Sequence, residues 1–124
     1  MNTKVRVLVA NRPRLMRDLI LETIGGLPDI EVAGEIQEES EILEAVERTQ
    51  PDFLIVSLGD SDERPAICDS VLARHPQIRV LAIAPDRNST IYYWVSPEIH
   101  SAPIETSEGG MLSALRSRMN HRGR

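Results

Sequence analysis

The sequence predicts an α/β fold, a doubly wound, five-stranded parallel sheet with helices on both faces. Three observations predict it. Apolar, β-branched runs with little alternation, Val5 to Ala10 the first, carry the pattern of strands covered on both sides. Segments of about ten residues with apolar positions at helical spacing separate these runs, and such an alternation makes βαβ units with parallel pairing and right-handed crossovers. The chain has 124 residues, the size of one domain with one core. It reads as a single unit over 1–124, with its core at about 4–119 and a polar tail at 120–124.

The elements follow in order. Val5 to Ala10 is a central strand. Residues 13–24 form a helix, with Leu15, Met16, Leu19, Ile20 and Ile24 at helical spacing and Gly25-Gly26 as the stop. Residues 30–36 alternate as a shorter strand, and 40–49 place Ile42, Leu43 and Val46 on one helical face before Pro51 blocks continuation. A largely apolar third strand spans 53–58, and the helix at 66–75 turns Ile67, Val71 and Leu72 inward. Residues 78–84 make a fourth buried strand ended by Pro85, and the last helix, 111–119, carries Met111, Leu112, Leu115 and Met119. The alternation asks for one more helix and one more strand within 86–103, a tight fit for eighteen residues. Because 90–95 is β-branched and aromatic, which favours a strand, the fourth helix is expected to be shortened or replaced by extended structure. The segment 100–103 then ends the fifth strand.

Composition narrows the function classes. Apolar residues make up 41% and charged residues 27%, which excludes a disordered or fibrous chain. The net charge of −5 argues against a nucleic-acid partner, since attraction to a phosphate backbone needs clustered cations. Lys4, Arg6, Arg12, Arg14 and Arg17 lie near the start, Arg116, Arg118, Arg122 and Arg124 at the end, and Glu35, Glu38, Glu39, Glu41, Glu44 and Glu47 between them. These read as solvated helix faces. Cys68 stands alone, so no intrachain disulfide forms and metal spacings built from Cys pairs are absent; a reducing cytoplasm fits. The start lacks the apolar stretch of a signal peptide, and no window approaches the roughly eighteen apolar residues of a membrane span. No membrane association is expected.

In an open parallel sheet the functional crevice lies at the carboxyl ends of the strands, where the winding reverses. That directs attention to Asn11 and Arg12 after the first strand, Ser57 ending the third, Ala84 ending the fourth, and His100 to Pro103. The segment Arg6-Val7-Leu8-Val9-Ala10-Asn11-Arg12-Pro13-Arg14-Leu15-Met16-Arg17-Asp18-Leu19 resembles the opening of a response-regulator receiver domain, of the flavodoxin-like class. Leu27-Pro28-Asp29-Ile30-Glu31-Val32-Ala33-Gly34-Glu35 resembles the family's approach to its second strand, and Gln50-Pro51-Asp52-Phe53-Leu54-Ile55-Val56-Ser57-Leu58 the segment that ends in its phosphorylated aspartate. Ala73-Arg74-His75-Pro76-Gln77-Ile78-Arg79-Val80-Leu81-Ala82-Ile83-Ala84 resembles the fourth strand and its approach. The resemblance covers about residues 4–119. It implies that Asn11 and Arg12 stand where the family has an acidic pair, Ser57 where it has the acceptor aspartate, Ala84 where it has Thr or Ser, and Ala102, before Pro103, where it has lysine.

Phosphoryl transfer to a carboxylate needs the acceptor, a divalent cation held by acidic oxygens, and hydroxyl and ammonium donors for the developing charge. None of the family's five residues remains. Ser57 is a poor acceptor without an adjacent base, and Arg12 opposes a metal. Ser57 reads as a residue completing a strand-end turn in preference to a regulatory phosphosite. Asp60 and Asp62 read as loop and cap chemistry in preference to a cation site. His75, His100 and His121 are too far apart in sequence to suggest a local metal site, and Gly25-Gly26 and Gly109-Gly110 lack the spacing of a phosphate-cradling loop. No catalytic residue, cofactor or metal is expected.

Aromatics are only 3% of the chain, yet Tyr92, Tyr93 and Trp94 are consecutive. They fall where a receiver has its fourth helix and the approach to its fifth strand, a face that receivers often use to dimerise or engage partners. Consecutive strand residues point to both faces, so the cluster is either a set of interface anchors or filler for the space of a shortened helix. The preferred reading is a pseudo-receiver that acts as a protein–protein interaction or signalling adaptor in a bacterial two-component setting, independent of phosphorylation and not an enzyme. Its surface would be Tyr92 to Trp94 and the last helix, with a homodimer as one use. Because the chain ends soon after that helix, no DNA-binding output domain is expected. The alternative is a small α/β anion- or ligand-binding domain, or an enzyme, using Asn11, Arg12 and Ser57.

Overall fold

The structure, a computed structural model, describes residues 4–11, 14–58, 63–84, 89–95, 98–104, 106 and 108–117. The chain runs β1 (Val5–Ala10), α1 (Arg14–Gly25), β2 (Ile30–Glu35), a 3-10 turn (Glu39–Glu41) leading into α2 (Ile42–Thr49), β3 (Phe53–Ser57), α3 (Ala66–Arg74), β4 (Arg79–Ala84), β5 (Ser89–Val95), β6 (Ile99–Pro103) and α4 (Glu108–Ser117). The strands form one sheet in the order β2-β1-β3-β4-β5-β6. Pairing is parallel from β2 through β4 and antiparallel at β4–β5 and β5–β6.

This corrects the expected five-stranded, all-parallel sheet: there are six strands, and the last two form an antiparallel hairpin. The reason is connection length. A parallel return needs about a dozen residues or more, whereas only residues 85–88 separate β4 from β5. With a β-branched, aromatic run on one side and a short connection on the other, the chain reverses directly. Residues 96–98 then join β5 to β6, a hairpin-length connection. Extended structure, β5, stands in place of the fourth helix, as the aromatic run led one to expect, but the segment expected to end the fifth parallel strand becomes the edge strand β6.

Helices cover both faces. On one side Ile20 and Ile24 of α1 and Met111, Ala114 and Leu115 of α4 pack on Val5, Val7, Val9, Phe53, Ile55, Leu81, Ile83 and Tyr92. On the other, Ile42, Ala45 and Val46 of α2 and Cys68, Val71 and Leu72 of α3 pack on Leu8, Leu54, Val56, Val80, Ala82 and Tyr93. The alternation along β1, β3 and β4 thus divides each strand between two cores, which is why these strands read as continuous apolar runs. Leu19, read as part of the inner stripe of α1, is instead 54% exposed. α2 ends at Gln50, whose φ of 52° puts a non-glycine residue in the left-handed region.

Candidate functional site

The strand-end crevice is assembled by register. Ala10 pairs with Val56 and Ser57 with Ile83, so Asn11, Ser57 and Ala84 stand side by side at the carboxyl ends of β1, β3 and β4. Asn11 is fully buried, and neither its side-chain Nδ2 nor its Oδ1 has a hydrogen-bond partner among the described residues. Ser57 is half-buried and Ala84 buried. Leu58 N–H donates to the Ile83 carbonyl at 2.9 Å, holding the ends of β3 and β4 together. Arg12, like Asp60 and Asp62, lies outside the described residues.

Ala102 does not join this group. It sits in β6 opposite Tyr92, which in turn pairs with Leu81. Strands lie about 4.8 Å apart, so Ala102 is roughly 10 Å from β4, with β5 in between. The insertion of β5 moves the segment ending in Ala102-Pro103 to the outer edge of the sheet.

Sequence reasoning missed Arg17. Its residue is only 4% exposed; its Nη1 donates to the Asn11 carbonyl at 3.2 Å and its Nε to Glu35 Oε1 at 3.2 Å. α1 therefore inserts a fixed cation between the ends of β1 and β2, while the Glu35 side chain remains half-exposed. The signal lay in spacing: Arg17 precedes Ile20 by three positions and Ile24 by seven, on the same inner stripe of α1. At this end of the sheet the crevice offers a neutral amide, a hydroxyl, a methyl group and a guanidinium. The carboxylate that the described residues bring there, Glu35, is ion-paired to Arg17. Such a set opposes a divalent cation and supplies no acceptor carboxylate at the end of β3.

The aromatic run divides between the two faces. Tyr92 and Tyr93 are 5% and 2% exposed, on opposite sides of the sheet, and Trp94 is half-buried on the Tyr92 side. Tyr92 lies 5.9 Å from the Phe53 ring and 5.4 Å from Trp94, and Trp94 stacks on His100 of β6 at 5.2 Å. Arg79 Nη1 donates to the Tyr92 hydroxyl at 2.7 Å. The run packs the hairpin against the core, and Trp94 and His100 carry the stack to its outer end.

No protein-family model and no curated protein matches the chain. Among solved structures, the fold is similar to the signal receiver domain of the response regulator NarL from Mycobacterium tuberculosis. The TM-score is 0.53 at 22% identity, over 63% of this chain and 64% of that one. It is also similar to the Salmonella typhimurium response regulator RcsB, with a TM-score of 0.52 at 17% identity, over 63% of this chain and 41% of that one. In each case the match spans less than two thirds of the other chain. The fold is receiver-like: a mostly parallel α/β sheet of the kind that response-regulator receivers use, with a hairpin as its far edge. Among the described residues no helix is long and apolar enough to cross a membrane.

Proposed function

We propose that this protein is a pseudo-receiver, a cytoplasmic signalling adaptor that works by protein–protein contact in a two-component setting without being phosphorylated and without enzymatic activity. One observation carries the reading. At the strand ends where a receiver-like fold does its chemistry, β3 terminates in Ser57, flanked by the buried amide of Asn11 and the methyl of Ala84, with Arg17 fixed behind β1. A serine hydroxyl must lose its proton to attack a phosphodonor, and none of these neighbours is a base. A metal would meet a guanidinium that already pairs with Glu35, the carboxylate the described residues bring there. What the fold retains is a rigid sheet on which surfaces are displayed. Incubation with Mg²⁺ and a small phosphodonor, followed by intact-mass measurement, is expected to leave the mass unchanged. A stoichiometric phosphoryl adduct would overturn the reading.

A second reading, a ligand-binding crevice, is favoured by Asn11, whose amide is fully buried with both polar atoms unbonded among the described residues. A buried amide is costly unless something satisfies it. Inorganic phosphate that raises the Tm of the wild type but not of Asn11→Ala would support this reading over the first; no shift in either would remove it.

A further inference from the structure

The two edges of the sheet are built differently. β2 carries a bulge, where the register slips between Val7↔Val32 and Leu8↔Gly34, and exposed carboxylates at Glu31 and Glu35. Bulges and charges keep an edge from pairing with another chain. β6 has neither. Its register against β5 is unbroken from Val95↔Ile99 to Ile91↔Pro103, and Ile99, His100, Ser101, Ala102 and Pro103 include no acidic residue, lysine or arginine. Among the described residues no strand pairs with its outer side.

The direction of its backbone groups follows from one bond. Ile104 N–H donates to the Thr90 carbonyl at 2.8 Å, opposite it in the β5–β6 register. Alternate residues of an antiparallel strand turn both backbone groups to the same side. His100 and Ala102 therefore face β5, as Ile104 does, while Ile99, Ser101 and Pro103 face outward. Pro103 has no N–H, so it occupies an outward position without leaving a donor unmet.

Resting on the reading that the chain acts through protein contact, we propose that β6 pairs antiparallel with β6 of a second copy, about a two-fold axis at Ser101. In that register Ser101 exchanges N–H···O=C bonds with its own counterpart, and Ile99 donates to the carbonyl of the counterpart of Pro103. Ile99 meets Pro103 side chain to side chain, next to the half-buried Ile91 and Val95 on the same face. Residues 99–103 bring no acidic residue, lysine or arginine into the contact despite the net −5, and Glu98 and its counterpart stand roughly 20 Å apart along the strands, beyond the screening length at physiological salt. The edge is thus self-complementary under a two-fold, the symmetry of most homodimers.

Sedimentation equilibrium of the full chain is expected to show a concentration-dependent rise from 13.9 kDa towards twice that mass. Amide hydrogen exchange at Ile99 and Ser101 should slow with concentration, while exchange along β2 stays constant. Ser101→Pro removes an outward donor without touching the β5 ladder, and Ser101→Lys sets like charges face to face across the axis. The Pro variant is expected to raise the dimer Kd about tenfold or more, the Lys variant to raise it as well, and Glu31→Lys on the other edge to leave it unchanged. A wild type that stays monomeric at millimolar concentration would overturn the proposal. So would a dimer that leaves the Ile99 and Ser101 amides unprotected or ignores both Ser101 variants. The phosphodonor assay keeps the two readings apart: an adduct defeats the adaptor reading whatever the mass, and a monomer without an adduct defeats only the dimer.

Discussion

Tyr92 is the strut that docks the hairpin, and two substitutions separate its contributions. Its ring is 5% exposed, between Phe53 at 5.9 Å and Trp94 at 5.4 Å, and its hydroxyl accepts from Arg79 at 2.7 Å. Tyr92→Phe keeps the ring and deletes the acceptor; Arg79 is half-buried and turns to water, so the expected loss is about 1 kcal/mol. Tyr92→Ala also removes the ring and opens a cavity under α4, for which buried aromatics typically cost about 3–5 kcal/mol. The ring's burial then accounts for the difference, roughly 2–4 kcal/mol. Against a total stability of about 5–15 kcal/mol for a domain, the Ala variant is severely weakened but measurable. Urea unfolding followed by circular dichroism and by fluorescence of Trp94, the single tryptophan, tests both. The two probes should coincide, with m unchanged in the Phe variant. If Tyr92→Ala costs less than about 1.5 kcal/mol, the ring is not carrying the burial that a docked hairpin requires. If Tyr92→Phe costs as much as Tyr92→Ala, the hydroxyl rather than the packing holds the hairpin.

Three further expectations follow from individual residues. Burial, seconded by the Asp69 carboxylate, pushes the Cys68 thiol up from 9.0 to about 12. Its contribution to stability is therefore complete below pH 9 and falls by about 1.4 kcal/mol per pH unit above it, until the folded value is reached. Cys68→Ala should remove that alkaline slope, and at pH 8 the native thiol should resist a reagent that labels the urea-unfolded chain at once; prompt native labelling would contradict its burial. Gln50→Gly should stabilise by about 0.5–1 kcal/mol, because the left-handed φ at the end of α2 is strained for any side chain; a lower urea midpoint would contradict this. Ser57→Asp should still take no phosphoryl group from a small phosphodonor with Mg²⁺, since Asn11 brings a neutral amide where the cation calls for carboxylates and Ala84 brings no hydroxyl. A stoichiometric adduct would show that the acceptor was the sole deficiency.

Most of the element order was legible because burial on both faces writes apolar runs for strands, and packing on one face writes a helical stripe. β1, β3, β4, α2 and α3 carry those patterns plainly. The strand-end crevice was legible too, as far as Asn11, Ser57 and Ala84, because parallel βαβ units bring successive carboxyl ends together. Arg17 was hidden because a charged residue is normally solvated; only its place on the stripe of Ile20 and Ile24 marks it as inward. Leu19 errs the other way, an apolar residue at helical spacing that the neighbouring elements do not cover.

By itself the sequence determined the α/β alternation, the strand character of the aromatic run and the absence of a carboxylate at the end of β3, all of them local matters of residue type and spacing. Tertiary structure alone decided where those pieces stand. Whether residues 89–95 run parallel or antiparallel to β4 depends on the reach of the connection before them, and that single reversal carries Ala102 away from the crevice. It also divides Tyr92 and Tyr93 between two cores and makes β6 the last strand of the sheet. Direction and neighbourhood belong to the whole chain, because backbone hydrogen bonds can be satisfied only by whichever strand the connections bring alongside.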